Sequence, residues 1–89
     1  MTPVRVLIAD DDPRLRDSLT MLVDGEADMT VIGAVPDGAA ALASVREHEV
    51  DVVLMDVRMP VMNGLDATRE LLDDGASLRV IVLTMFDSD

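Results

Sequence analysis

The stretch that decides the fold is residues 50–64, which read VDVVLMDVRMPVMNG. Residues 50–55 are dense in β-branched and aliphatic side chains, and an acid, Asp56, follows them directly. Short apolar runs of this kind are typical of strands buried on both faces of a parallel sheet, because half-exposed antiparallel strands alternate apolar and polar residues. The stretch therefore predicts a buried strand that ends at an acid.

Similar runs occur elsewhere in the chain. Residues 4–9 and 80–83 are equally apolar, and a weaker run covers residues 29–35 and contains Gly33. The first two predict further buried strands, and the third predicts an edge strand.

The segments between these strands have helical spacing. Asp12 is predicted as an N-cap, Pro13 as a first helical residue, and Gly25 follows the end of the segment. Similar segments begin near Gly38 and near Gly64. In the first segment, apolar residues recur at helical spacing at Leu15, Leu19, Leu22 and Val23.

Strands and helices alternate in the order β, α, β, α, β, α, β. This order indicates βαβ units with right-handed crossovers, and thus an α/β, doubly wound parallel sheet with helices on both faces. The length of 89 residues fits one domain. In such sheets ligands bind beyond the carboxyl ends of the strands, where the strand order reverses.

Composition excludes several classes of function. The chain has 18 acids and 7 arginines, no lysine, no cysteine and a net charge of −11. This balance argues against direct nucleic-acid binding, which needs clustered basic residues. Disulfides and cysteine-based zinc sites are excluded, and no window approaches the roughly 20 apolar residues of a membrane span. We therefore expect a soluble, cytoplasmic protein with no membrane contact.

Acids stand at the predicted strand ends. Asp10, Asp11 and Asp12 follow the first strand, Asp56 follows the third, and Thr84 follows the fourth. Two carboxylates about 4 Å apart repel by roughly 4 kcal/mol at an effective dielectric of 20. An all-oxygen cluster of this kind favours Mg²⁺. The alternative is helix capping, which we assign to Asp12, and only one residue can be the cap.

Three segments together resemble the receiver domain of two-component response regulators, most closely those of the LuxR or NarL type. They are residues 6–13 (VLIADDDP), residues 53–64 and residues 80–84 (VIVLT). The resemblance covers the whole chain, and residues 56–64 are its most specific part. It implies a flavodoxin-like sheet of order 2-1-3-4 in this chain.

The resemblance also implies a role for each residue at the strand ends. Asp56 would be the phosphoacceptor, and a sensor histidine kinase or a small acyl phosphate would be the donor. Thr84 would hydrogen-bond the phosphoryl oxygen and act as the switch. Mg²⁺ would be held by Asp10 (through water), Asp11, Asp56 and the backbone carbonyl of Arg58.

The chain departs from the receiver pattern beyond its fourth strand. Receivers have a fifth strand with an aromatic switch residue and a lysine at its end, whereas this chain stops at Asp89 and contains no lysine. We therefore expect residues 1–89 to be the N-terminal portion of a receiver, without an effector domain. The exposed edge of the fourth strand would make such a portion unstable or prone to associate.

These observations favour a phosphoacceptor signalling domain, not an enzyme, whose phosphorylation switches an output, most simply transcription. DNA would be contacted only through an effector domain outside this chain, and a homodimer is one assembly consistent with the sequence. Two alternatives stay open here. One is a Mg²⁺-dependent phosphohydrolase of the haloacid dehalogenase type, with residues 10–12 as its Asp-x-Asp motif. The other is an inert interaction fragment of a receiver.

Overall fold

The computed structural model describes residues 2–75 and 77–83 as a parallel α/β sheet with helices on both faces. The strands have the order β2-β1-β3-β4, which confirms the predicted topology. The elements are β1 (Val4–Ala9), α1 (Pro13–Asp24), β2 (Met29–Val35), α2 (Gly38–Glu47), β3 (Val52–Asp56), α3 (Gly64–Asp73) and β4 (Arg79–Leu83).

The main core lies between the central strands and the pair of helices α2 and α3. Leu7, Val53 and Met55 are fully buried there, and Ala41 and Leu71 cover them from the helices. Small residues on α2 and larger ones on the strands fill this space, as close packing requires. The central strands β1 and β3 are thereby held rigidly, which matters because both end at acids.

The opposite face of the sheet is covered by α1 alone among the described elements. Leu15, Leu19 and Val23 are partly buried. Leu22, which the spacing placed on the same apolar face, is 69% exposed, and α1 contains no fully buried residue. The spacing therefore predicted the helix correctly but overstated the width of its buried face, because Leu22 lies at the margin of that face.

Each helix begins at a capping side chain, and the predicted cap Asp12 is confirmed. The side chain of Asp12 accepts a hydrogen bond from the Arg14 N–H, and Asp37 and Asn63 cap α2 and α3 in the same way. Such caps satisfy N–H groups that have no partner within the helix.

Within residues 2–75 and 77–83, no helix has the length and apolar character needed to cross a membrane.

The bounds of β3 differ from the predicted range of residues 50–55. The strand begins at Val52, because the side chain of Asp51 accepts the Arg5 backbone N–H at 2.8 Å and fixes the chain at the entry to the sheet. The strand also extends one residue further and ends with Asp56 itself. The acid is therefore held by the sheet and does not belong to the loop.

The loop between β3 and α3 contains one strained residue. Val61 has a φ of 68°, and the Met62 N–H donates to the Pro60 carbonyl at 2.7 Å, which closes a γ-turn around it. The Met62 carbonyl in turn accepts the Gly38 N–H at 3.0 Å. A Cβ on Gly38 would lie 2.4 Å from that carbonyl oxygen, so this approach requires glycine. Docking onto α2 thus maintains a turn that a β-branched residue disfavours.

We expect Val61→Gly to raise the free energy of unfolding by about 1 kcal/mol. Left-handed backbone costs an L-residue about 1–2 kcal/mol, and the added flexibility of glycine in the unfolded chain offsets part of the gain. Val61 is 84% exposed, so little packing is lost. Urea unfolding followed by circular dichroism measures the change. Val61→Ala, which keeps a Cβ, serves as the control and should gain less, and an equal gain in both variants would contradict the strain.

Candidate metal centre

Parallel pairing of β1 with β3 brings two acids side by side. The register pairs Ala9 with Met55, so the next residues, Asp10 and Asp56, lie side by side at the same edge of the sheet. Asp11 follows in the loop to α1. One carboxylate oxygen from each of the three acids lies within 4.8 Å of the others. The structure therefore brings together the three acidic side chains that the sequence predicted as metal ligands.

Asp10 is the most deeply placed member of this cluster, with a relative exposure of 1%. Its N–H donates to the Val35 carbonyl at 3.0 Å, and its Oδ1 accepts the Asp12 N–H at 2.9 Å. Its Oδ2 is buried and has no hydrogen-bond partner. A buried carboxylate oxygen without a partner is costly, and in native proteins it commonly marks a missing ion or water.

Asp56 is also buried, with a relative exposure of 7%. Burial raises the pKa of its carboxyl above the ordinary value of 3.8, and the charges of Asp10 and Asp11 raise the pKa further. Hydrogen bonds from the backbone N–H groups of Arg58 and Val57 act in the opposite direction. The Arg58 N–H lies 3.4 Å from Asp56 Oδ1, so this opposing bond is long.

Asp51, just before the other end of β3, shows what a structurally paired acid looks like in this fold. Its carboxylate accepts the Arg5 Nε–H at 3.1 Å, and Arg5 also pairs with Glu49. The hydrogen bonds that Arg5 donates to Asp51 lower the pKa of its carboxyl. At the other end of the strand, the charges of the neighbouring acids Asp10 and Asp11 act on Asp56 and raise its pKa. The two ends of the strand therefore differ in their charge balance.

The donor set fits a hard divalent cation. All the available ligands are oxygens, and Mg²⁺ typically uses one or two carboxylates together with waters and phosphate. Asp11 is exposed, which leaves one side of the cluster open to solvent. The backbone carbonyl of Arg58 as a further ligand stays a prediction. Thr84 lies outside the described residues.

The loop after β3 forms one wall of an open crevice of about 470 Å³ beside the acids. Gly64 allows the start of α3 to approach this wall, because a Cβ there would lie 2.1 Å from the Asp56 carbonyl oxygen. The Gly64 N–H donates to the Val57 carbonyl at 3.0 Å. The crevice is lined by Asp11, Val57, Arg58, Met59, Pro60, Asn63 and Leu65.

One contact of the site was missed by sequence reasoning. Arg16 Nη1 on α1 donates to the backbone carbonyl of Asp10 at 2.8 Å. The separation of six residues carries no recognisable motif. Only the fold shows that the side chain reaches back across the start of the helix.

A parallel α/β sheet with an acid cluster at the carboxyl edge of β1 and β3 is the arrangement that the resemblance to receiver domains implies. The family model described as the response regulator receiver domain matches residues 6–89. The chain therefore belongs to the receiver domain family of two-component response regulators.

Individual relatives agree with this assignment. The chain is 43% identical over 83 residues to the transcriptional regulatory protein YvfU of Bacillus subtilis. This match covers 93% of this chain and 42% of that protein. It is 34% identical over 87 residues to the nitrate/nitrite response regulator NarP of Escherichia coli, covering 98% and 40%. The chain thus spans less than half of these relatives.

A solved structure gives the same result for the fold. The signal receiver domain of the response regulator NarL from Mycobacterium tuberculosis superposes with a TM-score of 0.93 at 32% identity. The match covers 99% of this chain and 71% of that chain. Similarity to the NarL-type regulators, predicted from the sequence motifs, is therefore confirmed.

We expect Asp56→Asn to stabilise the metal-free chain at neutral pH. Because the folded-state pKa of Asp56 is raised, its contribution to stability is fully present below the unfolded value of 3.8 and is lost as the pH rises through the folded value. The amide avoids that loss. Unfolding in urea with a chelator, measured from acidic to neutral pH, should show an advantage for the variant that grows with pH.

The control for this prediction is Asp17→Asn, which removes the same charge from an exposed position on α1. With a net charge of −11, any such change relieves some general repulsion. An equal advantage in both variants would show that Asp56 is not specifically strained by its neighbours.

Proposed function

We propose that Asp56 accepts a phosphoryl group from a sensor histidine kinase in a Mg²⁺-dependent reaction, and that phosphorylation switches an output. The observation that carries the proposal is the cluster of Asp10, Asp11 and Asp56 at the carboxyl edge of the sheet. Membership of the receiver family supports it.

The reaction requires a nucleophile in line with the bond that breaks. An Asp56 carboxylate oxygen would attack the phosphorus, the bond from phosphorus to the donor nitrogen or oxygen would break, and the electron pair would leave with the donor. The product is a mixed anhydride on Asp56. Position in the sheet supports this role, because a side chain held by β3 meets an incoming donor in a fixed direction.

The acids around Asp56 would bind the cation. When bound, Mg²⁺ neutralises negative charge on the transferred phosphoryl oxygens. Asp11 and Asp56 would contribute carboxylate oxygens directly, Asp10 would help through water, and the Arg58 backbone carbonyl would complete the ligands from the protein. Thr84 would hydrogen-bond the phosphoryl group, a role that stays a prediction from the family resemblance.

The contacts favour Asp56 over Asp10 as the nucleophile, and so disfavour the dehalogenase-type alternative. Asp10 Oδ1 is engaged by the Asp12 N–H, and the whole residue is almost fully buried. Asp56 is less deeply buried than Asp10, at 7% exposed against 1%, and its hydrogen bond from the Arg58 N–H is long at 3.4 Å.

The proposed output is transcription control through an effector domain outside residues 1–89. Its support is that the relatives YvfU and NarP are, by name, a transcriptional regulatory protein and a response regulator. The chain itself would act as a switch and not as an enzyme, and DNA contact would belong to the effector. A cytoplasmic location, which the composition predicted, completes the proposal, and a homodimer is one assembly consistent with it.

The direct test is incubation of the chain with Mg²⁺ and acetyl phosphate, followed by intact-mass spectrometry. We expect the mass of one phosphoryl group to be added to the wild type. Borohydride reduction, which converts a phosphorylated aspartate to homoserine, should place the group at residue 56. Omission of Mg²⁺ and the substitution Asp56→Asn should each abolish labelling.

Two further variants make the result specific. Asp11→Asn should slow labelling, because one cation ligand is lost, whereas Asp17→Asn should label at the wild-type rate. Homoserine at residue 10 would support the phosphohydrolase alternative. Absence of labelling in a folded chain would support the inert fragment.

A further inference from the structure

The side chain of Arg16 reaches from α1 to the main chain of Asp10, the most buried acid of the cluster. It is partly buried, and its Nη1 donates to the backbone carbonyl oxygen of Asp10 at 2.8 Å. A hydrogen bond from a charged donor in a partly buried site is shorter and stronger than one between neutral groups. Arg16 is anchored at its other end by the helix, where its N–H donates to the Asp12 carbonyl at 2.9 Å.

With this contact, Asp10 is held at several points. Its N–H is bound to Val35 on β2, its carbonyl to Arg16 on α1, and its Oδ1 to the N–H of Asp12. The remaining side-chain oxygen, Oδ2, is buried without a partner. The arrangement therefore fixes the residue while it keeps one carboxylate oxygen available.

Arg16 donates to the backbone carbonyl of Asp10 and not to its carboxylate, and this difference matters for cation binding. An arginine that paired directly with the carboxylate would neutralise Asp10 but would occupy the oxygens a cation needs. Bonded to the main chain instead, the Arg16 guanidinium holds its positive charge at the Asp10 carbonyl and leaves Oδ2 unengaged. Its planar group with several donors has a defined direction, which a flexible ammonium lacks.

We propose that Arg16 is a positioning residue for the cation site, which holds Asp10 so that its unpartnered oxygen stays aligned with Asp11 and Asp56. The inference rests on the proposed Mg²⁺ site but not on Asp56 being the phosphoacceptor. Outer contacts that orient metal ligands typically change metal affinity by about 10-fold to 100-fold when they are removed.

Two effects of Arg16 on a bound cation have opposite signs, which makes the proposal testable. As a positive charge, Arg16 repels a divalent cation, so its removal by charge alone would tighten binding. As a positioning residue, it aligns a ligand, so its removal would weaken binding. The direction of the change distinguishes the two roles.

The experiment is a titration of the chain with Mg²⁺ alone, followed by backbone amide NMR, which reports on folded molecules separately from unfolded ones. Arg16→Met should weaken Mg²⁺ binding by about 10-fold. Arg14→Met is the matched control, because it removes the same charge from an exposed position on α1 and should change the affinity by less than about twofold in a screened solvent. Arg16→Lys should recover part of the loss.

Each outcome decides a separate point. Absence of Mg²⁺ binding in the wild type would refute the proposed cation site itself. Wild-type binding with equal or tighter binding in folded Arg16→Met would overturn the positioning role alone. If Arg16→Met does not fold, Arg16→Lys is compared with Arg14→Lys. Weaker binding confined to position 16 supports the inference, and equal affinities refute it.

Discussion

The parallel pairing of β1 with β3 determines where every acid of the site lies. The bonds between these strands fix a register in which Ala9 faces Met55. Because both strands run in the same direction, their carboxyl ends carry Asp10 and Asp56 to one edge. The core behind them, centred on Leu7 and Val53, holds that register. Close approach of like charges follows from the backbone, not from an attraction between the side chains.

The crowding of acids that would bind a cation lowers the stability of the fold when no cation is bound. Asp51 is paired with Arg5, which lowers its pKa, whereas burial and the charges of Asp10 and Asp11 raise the pKa of Asp56. Buried carboxylates without a counter-charge oppose folding, and a cation that binds only the folded state would offset that cost. The guanidinium of Arg16 donates to the backbone carbonyl of Asp10 and so places a positive charge beside that residue. The site is therefore pre-organised at some expense to the apo fold.

Much of this could be predicted from the sequence because the deciding signals are local. Apolar runs indicated buried strands, and Asp12 was recognisable as a cap. The acids were predicted from their positions at strand ends. The exposed Leu22, the strained Val61 and the contact of Arg16 with Asp10 depend on how separate elements meet, so the linear pattern does not contain them. Thr84 stays a prediction, since it lies outside the described residues.

The central claim is that three acids, crowded by strand pairing, form one divalent cation site. The most direct measurement is the pH dependence of Mg²⁺ affinity, followed by amide NMR in the wild-type chain. The account predicts one saturable site whose shifted amides cluster around residues 10, 11 and 56. Its affinity should fall as the pH decreases through the raised pKa of Asp56, because protonation removes a ligand. Two results would contradict a single cation site at these acids. One is diffuse amide shifts that do not saturate, and the other is a Mg²⁺ affinity that stays constant from acidic to neutral pH.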